Sequence, residues 1–193
     1  GCSKDDPSSN QKDAATVMNE NIQLPPASFT VDPDTMTQST DVTLTPSPEG
    51  TMGLNTEEPL TTNIGFTAIN GATVVAGGIR FGDSGPVQMV PVNTNGAASG
   101  TLNIPFSISQ STCDDIASIC HAVKCYEFAM TADGKITAAN IMDVALLCGA
   151  CNEPSCQAFC CPSEGLKIIS NSVTIDGVQS TWGSCDPQID FGG

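Results

Sequence analysis

Ten cysteines carry most of the reactive chemistry in this chain of 193 residues. Five of them, Cys148, Cys151, Cys156, Cys160 and Cys161, fall within fourteen residues. Cys113, Cys120 and Cys125 precede that cluster, Cys185 follows it, and Cys2 stands apart near the start. Thiols so crowded can do two things. As thiolates, four of them could enclose zinc, and Cys148-x2-Cys151 has the spacing of a ligand pair. Oxidised in pairs, they would staple a segment that has little apolar content of its own. Iron–sulfur ligation suits them less. The spacing follows neither ferredoxin pattern, and Pro162 comes directly after the vicinal pair Cys160-Cys161.

A hydroxyl nucleophile is the other chemical suggestion. Gly82-Asp83-Ser84-Gly85-Pro86 resembles the serine motif of chymotrypsin-like proteases, short of one glycine. That family places its histidine before the serine. Here the one histidine, His121, follows Ser84 by 37 positions. The order serine, acid, histidine belongs to α/β hydrolases, whose alternating strand–helix pattern is missing. Asp114 and Asp115 could orient His121, yet a tight hairpin turn at Gly82–Pro86 is the expected reading. There is no phosphate loop and no dinucleotide fingerprint. No catalytic residue is assigned, and the chain is read as a non-enzyme.

Charge narrows the partners. The net charge is −15, with basic residues only at positions 4, 12, 80, 124, 135 and 167. Nothing in that scatter makes a basic patch, so nucleic acid is excluded as a partner and acidic glycans are repelled. The acidity reads as a solvated surface that favours solubility. Asp32 and Asp34, and Asp114 and Asp115, are closely spaced carboxylate pairs, and neither pair has calcium-loop spacing. Neither metal nor cofactor is assigned. For stacking against a sugar, Trp182 is the best single residue among few aromatics.

The elements that must hold these residues read as strands. Charged residues make up 14% of the chain, against a usual ~25%, and Thr, Ser, Asn, Gly and Ala take their place. That mixture favours β structure. Strands are expected at 27–31, 41–45, 63–69, 73–81, 87–92, 101–108 and 121–130, with Asn95-Gly96 and Asp133-Gly134 as turns. Gly77-Gly78 suggests a bulge inside the fourth of these. A two-turn helix should begin at Ser111, while 136–147 suits helix or buried strand equally. A last hairpin, 166–175 and 178–182, closes on Asp176-Gly177. Cys185 should lie in the loop beyond it. The fold class expected is all-β: an immunoglobulin-like antiparallel β-sandwich with one short helix and a disulfide-rich C-terminal segment. Residues 1–20 read as a flexible tether, 21–147 as the sandwich, and 148–193 as a Cys-rich loop and closing hairpin packed on it.

Cys2-Ser3-Lys4-Asp5-Asp6 resembles the start of mature Bacteroidota lipoproteins, in which a lipidated cysteine precedes a short Ser/Lys/Asp export signal. The resemblance implies lipidation at Cys2 and a place on the extracellular face of the outer membrane, with outer-membrane lipid as first partner. A second likeness is carried by Gly77–Pro86, His121–Met130, Asp133–Lys135 and Cys148–Cys156. These segments resemble uncharacterised flavobacterial surface lipoproteins, which imply location and a sandwich but no activity. An exported setting favours disulfides over thiolate metal sites. Nine cysteines besides Cys2 cannot all pair within one chain. Cys185 is expected to bond back to the cluster, with Cys125 or a cluster member left unpaired and buried; an interchain bond through Cys185 would make a homo-oligomer. Asp34-Thr35-Met36 resembles the Bacteroidota O-glycosylation acceptor, at Thr35. The role expected is non-enzymatic: adhesion, assembly or ligand presentation towards a surface protein or glycan. The rivals are a glycan-binding accessory protein of an uptake system and a thiolate metal-binding protein.

Overall fold

The computed structural model describes residues 13–45, 51–55, 60–109, 111–112, 120–137, 140–147, 168–175 and 178–185. The first described element is helix α1, Ala14–Asn21. Asp13 caps it, accepting a hydrogen bond of 2.8 Å from the Thr16 N–H on Oδ1. Hydrogen bonding from Thr16, from its side chain first and its N–H second, holds the Asp13 carboxyl below its ordinary pKa. Val17 and Met18 point into the core. The tether expected over 1–20 therefore cannot extend past the cap. An apolar stripe of two residues is enough to dock a short helix that a side chain starts.

Twelve strands follow among the described residues: β1 (Ile22–Gln23), β2 (Phe29–Val31), β3 (Val42–Thr45), β4 (Thr51–Asn55), β5 (Leu60–Ala68), β6 (Val74–Phe81), β7 (Val87–Pro91), β8 (Ser99–Ile108), β9 (Cys120–Thr131), β10 (Asn140–Leu147), β11 (Ile168–Ile175) and β12 (Val178–Cys185). One sheet has the order β1-β8-β5-β3, the other β2-β7-β6-β9-β10-β4, and β11 pairs with β12 alone. The two large sheets form a sandwich of immunoglobulin-like order. β3 joins one sheet and β4 crosses to the other, where it runs parallel to β10. Among the described strands that is the one parallel pair, in sheets expected to be antiparallel throughout. The ambiguous 136–147 segment resolves as strand from Asn140 onward. Ser111 and Thr112 are helical where a helix start was expected.

Alternation builds the core. Ile64, Phe66, Leu102, Ile104 and Phe106 come inward from one sheet, and Ile79, Phe81, Val90 and Ala129 meet them from the other. α1 closes one end of the sandwich, Val17 and Met18 packing with Phe81, Phe106 and Ile108. The Asn19 carboxamide acts as an extra strand partner, donating to the Phe81 carbonyl at 2.7 Å and accepting from the Phe81 N–H at 2.9 Å. The six-stranded sheet also buries its outer face. Ala76, Val87, Met89, Phe128 and Ile136 form a second cluster there, half-covered by Val31 and Met36.

The glycine pair in β6 serves close packing, and the bulge lies earlier, between Val74 and Ala76. A Cβ on Gly77 would stand 3.0 Å from Leu102 and Ile104 of the facing sheet. One on Gly78 would stand 2.3 Å from Met89 Sδ and 2.4 Å from the Gln88 carbonyl. The expected turns form at Asn95-Gly96, with φ of 54° and 72°, and at Gly134, with φ of 80°.

Candidate functional site

Two features are structurally committed: the Gly82–Pro86 segment that the sequence marks for chemistry, and a buried carboxylate beside Cys125. Arg80 is 7% exposed. Its Nε donates to the Gly82 carbonyl at 3.0 Å and its Nη1 to the Gly85 carbonyl at 3.1 Å. The guanidinium also lies 5.2 Å from the Tyr126 ring centre and 5.3 Å from that of Phe128, a cation–π arrangement. These bonds hold the Gly82–Pro86 turn, in which Gly82 and Gly85 have φ of 85° and 98°. Asp83 accepts the Tyr126 hydroxyl, which pushes the tyrosine pKa up. Ser84 is exposed at the tip. The turn is a strapped hairpin, as expected. His121 stands in β9 opposite Leu146, and its side chain lies outside the described residues.

Glu127 is the second. It faces inward between the sheets, 1% exposed. Thr62, reaching across from β5, donates to Oε2, and Oε1 has no partner. Burial raises the carboxyl pKa above the ordinary glutamate value, and the Thr62 bond opposes part of that rise. Cys125 is a fully buried free thiol one inward position along β9. Burial, then the neighbouring Glu127, raises its pKa. As a free thiol it leaves the set of bridging cysteines.

An opening is found on the side of the sandwich, at β8. β1 pairs with only two residues of β8, Gln23 with Ser107 and Ile22 with Ile108. Leu24 then turns inward to pack on the core between the sheets, and Pro25-Pro26, which have no N–H to donate, carry the chain across to β2. Beyond that crossing, Ser99 to Phe106 have no strand among the described residues on the side away from β5. The register says which backbone groups are open. The Ala68 N–H donates to the Ala98 carbonyl at 2.7 Å. Hydrogen-bonded pairs alternate along an antiparallel ladder, so Gly100, Leu102, Ile104 and Phe106 face β5. Ser99, Thr101, Asn103 and Pro105 turn their backbone groups outward. The Ser109 N–H bonded to the Asn21 carbonyl at 3.3 Å fits the same phase. Pro105 has no N–H, a common guard on an exposed edge.

Beside this edge lies a pocket of about 350 Å³, in the size range of ligand sites. Phe66, Val92 and Leu102 supply apolar walls, and Asn93, Thr94, Ser99, Thr101 and Asn103 supply polar ones. Gly100 lets the Phe66 ring approach the opening, since a Cβ there would stand 3.1 Å from Phe66 Cε1. No lining residue is charged. The outward face of the same sheet is similar, with Thr43, Thr45, Thr61, Asn63, Thr67, Ser99, Thr101 and Asn103 exposed. This site was not anticipated from the sequence. The signal available was Pro25-Pro26 after a very short strand, together with the uncharged run from Asn93 to Gln110.

The remaining sequence candidates are spread out. Thr35 is exposed at the end of a single 3-10 turn, Pro33–Thr35, its hydroxyl bonded to the Asp32 carbonyl at 2.9 Å. Trp182 stands in β12 opposite Asn171, and its side chain lies outside the described residues. Cys185 ends β12 opposite Ile168; it is a strand residue, where a loop was expected, because the closing hairpin runs three residues further. Cys120 opens β9 opposite Leu147. Its thiol, and Cys2, Cys113, Cys148, Cys151, Cys156, Cys160 and Cys161 entirely, lie outside the description. Among the described residues no group of three metal-binding side chains occurs, and no helix is long and apolar enough to cross a membrane. Phe29, 36% exposed, has no second exposed aromatic beside it among the described residues.

No protein-family model matches the chain, and no curated protein matches it. Among solved structures, a chain from a type I cohesin–dockerin complex of Clostridium thermocellum aligns with it at 10% identity and a TM-score of 0.31. The alignment covers 57% of this chain and 96% of the other.

Proposed function

We propose that this chain is a non-enzymatic interaction module, held at the extracellular face of the outer membrane by lipid on Cys2, where it serves adhesion, assembly or ligand presentation. One observation carries the reading: among the described residues the domain keeps an unpaired strand edge and an uncharged pocket side by side, although the net charge of the chain is −15. The groups that could do chemistry support it from the other direction. Asp83 and Arg80 are spent on holding a turn. Glu127 and Cys125 are sealed in the core.

The location rests on Cys2-Ser3-Lys4-Asp5-Asp6. Cys2→Ala should move the protein from membranes to the soluble fraction. Asp5→Ala with Asp6→Ala should leave it membrane-bound but shielded from protease added to intact cells. Unchanged surface proteolysis in the second variant would contradict the export reading. For the role, cells lacking the protein should be restored equally by wild type and by Ser84→Ala. A defect confined to Ser84→Ala would contradict a non-enzymatic module.

A further inference from the structure

We infer that the open edge of β8, from Ser99 to Asn103, receives an extended peptide strand of another protein, antiparallel to β8, with one apolar side chain seated in the adjoining pocket. The inference rests on the interaction-module reading and names its site and the chemistry of its partner.

The backbone states the requirement first. Thr101 and Asn103 each turn an N–H and a carbonyl to the open side, by the phase that the Ala68–Ala98 bond fixes. An occupant must therefore offer acceptor and donor alternately at the two-residue repeat of a strand, ~6.8 Å. A peptide strand does this along its whole length. An oligosaccharide can bond the Thr and Asn side chains but does not carry that repeat.

The chain itself supplies the precedent. β1 already occupies the same edge, two residues long and antiparallel. A new strand would continue the row that β1 begins, after Leu24 has turned away. The space is bounded. Pro105 interrupts the donors at one end, and the Asn95-Gly96 turn closes the other. About five residues of contact fit between them.

The pocket gives the side-chain preference. Side chains of a strand alternate between faces, so every second residue of the occupant points at Phe66, Val92 and Leu102, and the others point to the polar, uncharged outer face. An occupant of apolar residues alternating with Thr, Ser or Asn satisfies both. Acidic side chains would meet no counter-charge in the site and a net charge of −15 around it. This is strand addition, in which main-chain bonds give affinity and alternate pockets give selectivity.

The test uses isotope-labelled protein and the probe peptide acetyl-Thr-Val-Thr-Val-Thr-Val-Thr-amide, followed by amide NMR. The Thr101 and Asn103 amides should shift and become protected from exchange. Methylating alternate peptide nitrogens should abolish this in one register and spare it in the other. Thr101→Pro should weaken binding about tenfold, the loss expected for one unmade main-chain bond, and should leave the melting temperature unchanged, because that nitrogen bonds nothing in β5. The methylated peptides need no variant, so the proposal stays testable if Thr101→Pro does not fold. Amides of Thr101 and Asn103 unmoved at millimolar peptide, or equal binding by both methylated registers, would overturn the proposal. So would cellohexaose perturbing these residues where the peptide does not. If the edge fails while cells lacking the protein still lose adhesion, the module reading stands and the site assignment falls.

Discussion

Replacing Glu127 by glutamine should make the protein less sensitive to rising pH. Glu127 is 1% exposed, with one bond from Thr62 and a second oxygen without a partner. Burial raises its native pKa, while in the unfolded chain it titrates near ~4.3. Between those two values the native state holds a proton that the unfolded state has lost. Stability therefore falls as pH rises through that window, by at most about 1.4 kcal/mol per pH unit for one proton. Below the window the contribution is complete; above the native pKa the loss is complete. Glu127→Gln keeps an acceptor for Thr62 and removes the titration. Its stability relative to wild type should thus climb with pH from about 4.3 upward and then level off. Thr62→Val acts oppositely. It leaves the carboxyl with no bond at all, costing about 1–3 kcal/mol, and widens the window by pushing the pKa higher. Urea unfolding followed by circular dichroism from about pH 4, below the window, up to about pH 8 measures all three. Parallel curves for wild type and Glu127→Gln would refute the argument, since the carboxylate would then be ionised inside the sandwich at no cost.

Gly78→Ala should destabilise the fold by about 1–3 kcal/mol or more, as overpacking does, because the new methyl meets the main-chain carbonyl of Gln88 in the neighbouring strand; thermal unfolding reads it. Asp13→Ala should cost about 0.5–2 kcal/mol through loss of the α1 cap. The Asp13 part of stability, set by its lowered pKa, should fade as pH falls through that value. Iodoacetamide should leave Cys125 unmodified in the folded protein and modify it in urea, by peptide mapping. Cys125→Ser should be less stable than Cys125→Ala, since a buried hydroxyl without a partner is penalised.

Much of the sandwich was readable as alternation. The strands β5 and β9 read in apolar–polar order and β6 as a Val- and Ile-rich run, and Asn95-Gly96 and Gly134 mark turns whose positive φ values follow from residue type. What escaped was set by long-range partners. β1 is two residues long and exists because β8 is there. β4 contains a glycine and pairs parallel with β10, about ninety positions away, so no local period identifies it. α1 was hidden in a polar terminus, although Asp13 ahead of Ala14-Ala15 and Val17-Met18 is a cap and an apolar stripe. Alternation along β9 puts Glu127 on one face with Cys125, but its hydrogen-bond partner is Thr62, 65 positions earlier, which no local pattern connects to it. The two glycines of β6 were rightly singled out, yet their cause is the approach of Met89 and Ile104 rather than a bulge. The open edge of β8 required the register, which only the assembled sheet supplies.

Hydrogen exchange along β8 in the free protein tests the central claim directly. If the edge is open, the amides of Leu102, Ile104 and Phe106, bonded to β5, exchange slowly, and those of Thr101 and Asn103, between them on the same strand, exchange quickly. Equal protection of Thr101 and Asn103 with their neighbours would mean that the edge is already covered, and would contradict the account.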